Sequence, residues 1–182
     1  MNPQPYIEAT RQWLESVVID LNLCPFAKRE LVKERIRFVV TEARTEDALL
    51  MALHDELRGL DTDDSVATTL LIHPAVLQDF YQYNEFLGDA DGLLAHLGYE
   101  GTYQIASFHP DYQFGGTEPE DVENYTNRSP YPMLHLLRED QLAEVIDSYP
   151  DTESIPEVNV NKVRALGLEH MRALLSRCLP EE

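Results

Sequence analysis

The chain has 182 residues, with 33 Asp and Glu against 14 Lys and Arg and a net charge of −19. That balance fits one domain of ordinary size over residues 1–182 and repels phosphate backbones and anionic lipid heads, so neither nucleic acid nor a membrane is an expected partner. Hydrophobic residues at 43% are enough to drive folding against the charge.

Ile7, Trp13, Leu14, Val17, Val18 and Leu21 recur near a 3.6-residue period and predict an amphipathic helix from Tyr6 to Leu21, stopped by Asn22-Leu23-Cys24-Pro25. Arg35 to Thr41 reads as a strand. A second helix is predicted from Thr45, as its N-cap, to Gly59, with Leu49, Leu50, Leu53 and Leu57 on one stripe. Val66 to Ile72 has the β-branched and apolar content of a buried strand and closes on His73-Pro74. A helix is predicted around Val76–Leu87, divided by Gly88–Gly92 from a shorter one that reaches Leu97. Thr102 to Phe108 reads as a third strand, again closed by His-Pro.

The stretch 111–132 is rich in Gly, Pro, Asp, Glu and Asn. At about twenty residues it is longer than an ordinary connection, a property of functional or mobile loops. Met133 to Arg138 predicts a fourth strand, followed by a helix from Asp140 with Leu142, Val145 and Ile146. One or two helices over Pro156–Cys178, broken near Gly167, end the chain. The order predicts an α/β or α+β layered fold with a three- to four-stranded, mostly parallel or mixed sheet covered by helices. In such folds the site commonly forms where successive strands end.

Cys24 and Cys178 are too few for a disulfide framework, the N-terminus carries no signal-peptide pattern, and no apolar run reaches membrane-spanning length. The cytoplasm is the expected location. Most of the negative charge lies in residues 61–160, where Arg128 and Arg138 are the only Lys or Arg side chains. Such a field either solvates an acidic face or gathers cationic small molecules or a basic partner.

Three segments combine reactive and geometry-fixing residues: 23–29 around Cys24, 108–112 around His109, and 127–135 from Asn127 to His135. At a strand end, the His109 imidazole can ligate a metal or haem iron, shuttle a proton, or simply close the strand through hydrogen bonds. Tyr112 lies close by in sequence. Cys24 is a nucleophile if Lys28, Arg29 or a histidine lowers its pKa, and otherwise a small buried hydrophobe. Arg128, stiffened by Pro130 and Pro132, can clamp a carboxylate or pair with its acidic surroundings. His135 joins a site or a core according to the register of its strand. No Cys-x-x-Cys, His-Glu-x-x-His or EF-hand spacing occurs.

The length, Leu-Cys-Pro-Phe-Ala at 23–27, Phe-His-Pro-Asp-Tyr at 108–112 and Asn-Arg-Ser-Pro-Tyr-Pro at 127–132 resemble a bacterial family known as domain-of-unknown-function 1415. The order of elements around these motifs is also distantly similar to small haem-dependent amine (arginine) N-oxygenases. That similarity implies a haem with His109 as axial ligand, Arg128 as a propionate or substrate contact, and Cys24 and Pro25 as pocket wall. The long acidic connection after His-Pro departs from that pattern.

The leading expectation is a haem- or iron-dependent oxidoreductase acting on a small amine-bearing, cationic molecule. His109 holds the iron, Arg128 orients an anion, and His135 or Tyr112 relays a proton. Two alternatives stand beside it: a cysteine- and histidine-dependent enzyme using Cys24, and a non-catalytic acidic binding module.

Overall fold

A computed structural model of the chain describes residues 1–148 and 151–180. Helix α1 runs over Gln4–Trp13 with Pro5 in its first turn, where a missing N–H costs nothing. It continues as a π-helical stretch, Leu14–Ile19, in which the Asp20 N–H reaches back to the Glu15 carbonyl at 2.9 Å. The segment stops at Asn22, whose φ of 52° is left-handed. A short α2, Ala27–Val32, follows and is absent from the sequence reading, because six residues carry too little periodicity to register.

Strand β1 is Ile36–Val40 and α3 is Glu46–Thr62, capped by the Thr45 hydroxyl accepting from the Ala48 N–H at 3.2 Å. After β2, Thr68–Ile72, helix α4 spans Phe80–Leu97 without interruption, so the break expected at Gly88–Gly92 is absent. Tyr83, Phe86, Ala90 and Leu94 are all buried on one stripe. That packing outweighs the roughly 1 kcal/mol that each interior glycine costs a helix.

Strand β3, Tyr103–Phe108, leads through the long loop and its 3-10 turn, Val122–Thr126, to β4, Met133–Arg138. Helices α5 (Glu139–Ser148), α6 (Ile155–Leu166) and α7 (Leu168–Cys178) close the chain, with Gly167 at φ 84° between the last two. The side chain of Val145 lies outside the described residues.

The sheet is mixed, in the order β1-β2-β4-β3, with β1 and β2 parallel and β4 antiparallel to both neighbours. Helices cover both faces. On one, Leu71, Leu134 and Leu136 meet α3 and α4; on the other, Leu70, Ile72 and Met133 meet the N-terminal helices, α6 and α7. Strand alternation therefore divides one apolar run between two cores. Among the described residues no helix is long and apolar enough to cross a membrane.

Candidate functional site

A cavity of about 270 Å³ opens between the second sheet face and the N-terminal segment. Its wall is mostly apolar: Trp13, Leu14 and Val18 from α1 and the π-helical stretch, Phe26 from the exit, and Leu70 and Phe108 from the sheet. Leu14 and Val18 belong to the π-helical turns, a geometry often found at functional sites. Cys24 and His135, remote in sequence, both line it.

The strand register decides the place of His135. It pairs with Leu70 on one side and Ala106 on the other, so alternation puts it on the same face as Thr68, Leu70, Phe108 and Leu137. Its Nε2 lies 2.7 Å from the Thr68 hydroxyl, and its ring is 5.9 Å from that of Phe108. Burial lowers its pKa to about 4, so the ring is neutral at physiological pH. Cys24 is half-buried, and burial raises its thiol pKa despite the backbone N–H groups of Phe26 and Ala27, which act the other way. The cavity thus holds a neutral thiol and a neutral imidazole.

The polar groups around the wall are largely engaged. The Arg29 Nε donates to the Glu30 Oε1 at 2.7 Å, and Arg35 pairs with Glu30 Oε2 at 3.4 Å. Arg138 donates to the carbonyls of Val66, Leu60 and Asp63 at 3.1, 2.6 and 2.9 Å. A carboxylate in this cavity would therefore meet cations that already have partners.

The other sequence candidates lie elsewhere. His109 is fully buried, takes the Asp111 N–H on Nδ1 at 3.0 Å, and pairs through Nε2 with the Leu77 carbonyl at 3.1 Å. With both ring nitrogens engaged it offers no lone pair, and burial lowers its pKa. Arg128 donates to the carbonyls of Tyr112 at 3.2 Å and Pro119 at 2.6 Å, and its guanidinium stacks 4.7 Å from the Tyr125 ring centre. Tyr112 packs its ring against Phe80 and Phe114 at 5.2 and 5.0 Å. None of the three lines the cavity.

Together they order the long loop. Buried Asn124 completes it: its Oδ1 accepts from the Phe114 N–H and the Thr117 hydroxyl, each at 2.9 Å, and its Nδ2 donates to the Glu118 carbonyl at 2.8 Å. Residues 111–132 are thus tied down by side-chain-to-backbone bonds, which composition alone does not display.

A haem does not fit these residues. The proposed axial nitrogen is hydrogen-bonded, the proposed propionate partner holds loop carbonyls, and 270 Å³ lies below the roughly 300–1,000 Å³ of sites for drug-sized ligands. A porphyrin is larger than most such ligands. Among the described residues no group of three or more His, Cys, Asp or Glu is placed to hold a metal ion.

The cavity lies against a sheet face and touches the expected edge only through Phe108. The carboxyl ends of β1, β2 and β3 share one edge of the sheet, where His73 and His109 flank Tyr83 with ring centres 5.8 and 5.0 Å from it. The Tyr83 hydroxyl donates to the Met133 carbonyl at 2.8 Å and accepts from the Phe108 N–H at 3.1 Å, which makes that edge a structural joint. The cavity instead reaches Ile36, Ala67 and Thr68, toward the starts of β1 and β2. Sequence reading missed Thr68 and Trp13 as wall residues. Two adjacent threonines, Thr68 and Thr69, interrupt the apolar run 66–72, and only the sheet face decides that the first of them borders the cavity.

The profile of a family described as "Protein of unknown function (DUF1415)" matches residues 5–173 of the chain. No curated protein and no solved structure gives a significant match.

Proposed function

The chain belongs to this family of unknown function, and we propose that it is an enzyme acting on a small, largely apolar, amine-bearing molecule held in the cavity. His135 is its acid–base group and Cys24 its second reactive side chain. One observation carries this reading: folding brings Cys24 and His135 into one apolar cavity whose burial shifts both pKa values toward the neutral form. A neutral imidazole can accept a proton at physiological pH, and the aromatic wall supplies the affinity. The amine follows from charge. The protein is strongly acidic, and the cations beside the cavity are already paired, so a positively charged or neutral ligand is favoured over an anion.

Trp13, the only tryptophan of the chain, lines the cavity and reports on its contents. Small aromatic and aliphatic amines should change its emission saturably, and Ala67→Leu, which fills the wall, should weaken that response. Emission indifferent to all such amines in the wild-type protein would contradict the assignment.

A further inference from the structure

The hydrogen bonds beneath His135 specify more than its position. The Thr68 Oγ1 is 2.6 Å from the Leu136 carbonyl and 2.7 Å from the His135 Nε2. A hydroxyl has one proton, and the Leu136 carbonyl can only accept. That proton therefore lies toward Leu136, and the oxygen's lone pair faces Nε2. Two acceptors at 2.7 Å repel unless a proton lies between them, so the ring must carry its proton on Nε2 and donate it to Thr68.

The consequence falls on the other nitrogen. Nδ1 then keeps its lone pair, and among the described residues it has no hydrogen-bond partner, on a ring that borders the cavity. The strand register fixes this arrangement, because Thr68 and Leu70 sit on adjacent same-face positions of β2 and His135 is directly opposite Leu70 on β4. The cavity consequently presents a hydrogen-bond acceptor and an aromatic wall built from Trp13, Phe26 and Phe108.

We propose that the cavity selects ligands that donate a hydrogen bond, an amine N–H or a hydroxyl, over isosteres that only accept one, and that Thr68 sets this polarity by fixing the tautomer of His135. The inference rests on the cavity being the ligand site and adds to it the direction of the polar contact. Thr68 is a positioning residue: it acts on the ligand through the imidazole.

p-Cresol and anisole test the polarity directly, since they are isomers and only the first donates. In the wild-type protein p-cresol should bind several-fold to about tenfold more tightly, the size of one hydrogen bond and one avoided unpaired nitrogen. Thr68→Val keeps the side-chain shape but removes the acceptor for Nε2–H, so the ratio should fall to one or below, and Thr68→Ser should restore it. The imidazole ¹⁵N spectrum of the free wild-type protein gives a reading independent of ligand and of any variant's folding. It should show His135 protonated at Nε2.

A spectrum with the proton on Nδ1, or equal affinity for the two isomers, overturns the inference and leaves the cavity assignment standing. No shift of the Trp13 indole signal with either isomer overturns the cavity assignment together with the ligand preference.

Discussion

His109 separates a structural from a chemical account of this protein most sharply. Its two ring nitrogens hold the Leu77 carbonyl and the Asp111 N–H in a fully buried setting, and Leu77 itself sits at a φ of 58°, a strained position for a leucine. His109→Ala leaves both backbone groups unpaired. It should lower stability by about 3 kcal/mol, which for a chain of this size moves the melting temperature by roughly 6–12 °C. Cavity ligands should still change Trp13 emission. A His109→Ala protein that melts like wild type but loses ligand binding would reverse the roles assigned to His109 and His135. His73 and His135 add a pH dependence: burial lowers both to about 4 in the folded chain, against an ordinary value near 6.5. The unfolded state therefore takes up protons first, so stability is complete above about pH 6.5 and declines as the pH falls toward 4. A denaturation series from pH 7.5 to 4 should show this fall, and His135→Phe should flatten part of it; a midpoint constant across that range would contradict the desolvation of both rings.

Among the elements, those whose own sequence carries the determining signal were the legible ones. Thr45 and the Leu49, Leu53 and Leu57 stripe define α3, and the apolar run ending at Ile72 defines β2. In helix α4 the sequence predicts a break at Gly88–Gly92 that the fold does not have, because the local cost of glycine is visible in sequence and the burial of Phe86, Ala90 and Leu94 is not. A Cβ built at Gly88 or Gly92 meets nothing within 4 Å beyond the backbone of its own helix, and both positions are helical. Gly88→Ala and Gly92→Ala should each stabilise the chain by about 0.5–1 kcal/mol, measured as a shift in urea midpoint at unchanged slope. A loss of stability in either variant would mean that the helix is interrupted there after all. Strand β4 shows the complementary limit: its existence was legible in Met133–Arg138, but the face of His135 depended on pairing with β2 and β3 across long sequence separations.

At the scale of the molecule, the sequence motifs gathered His109, Tyr112, Arg128, His135 and Cys24 as candidates, and the fold divides them. The first three tie down the loop 111–132, whereas Cys24 and His135 both line the cavity against the N-terminal helices. No spacing rule could announce that division, since each histidine's meaning depends on whether its nitrogens are already bonded. The net charge of −19 belongs to the same scale, and it is the ground on which a cationic or neutral ligand is proposed. The most direct measurement is a backbone and side-chain NMR perturbation map during titration with p-cresol. Saturable shifts should concentrate at Trp13, Cys24, Phe108 and His135, reach Arg128 only through its carbonyl on the Trp13 indole N–H, and leave the loop around Tyr112 nearly still. Shifts centred on His109, Tyr112 and Arg128, with Cys24 and His135 unmoved, would contradict that assignment of the site.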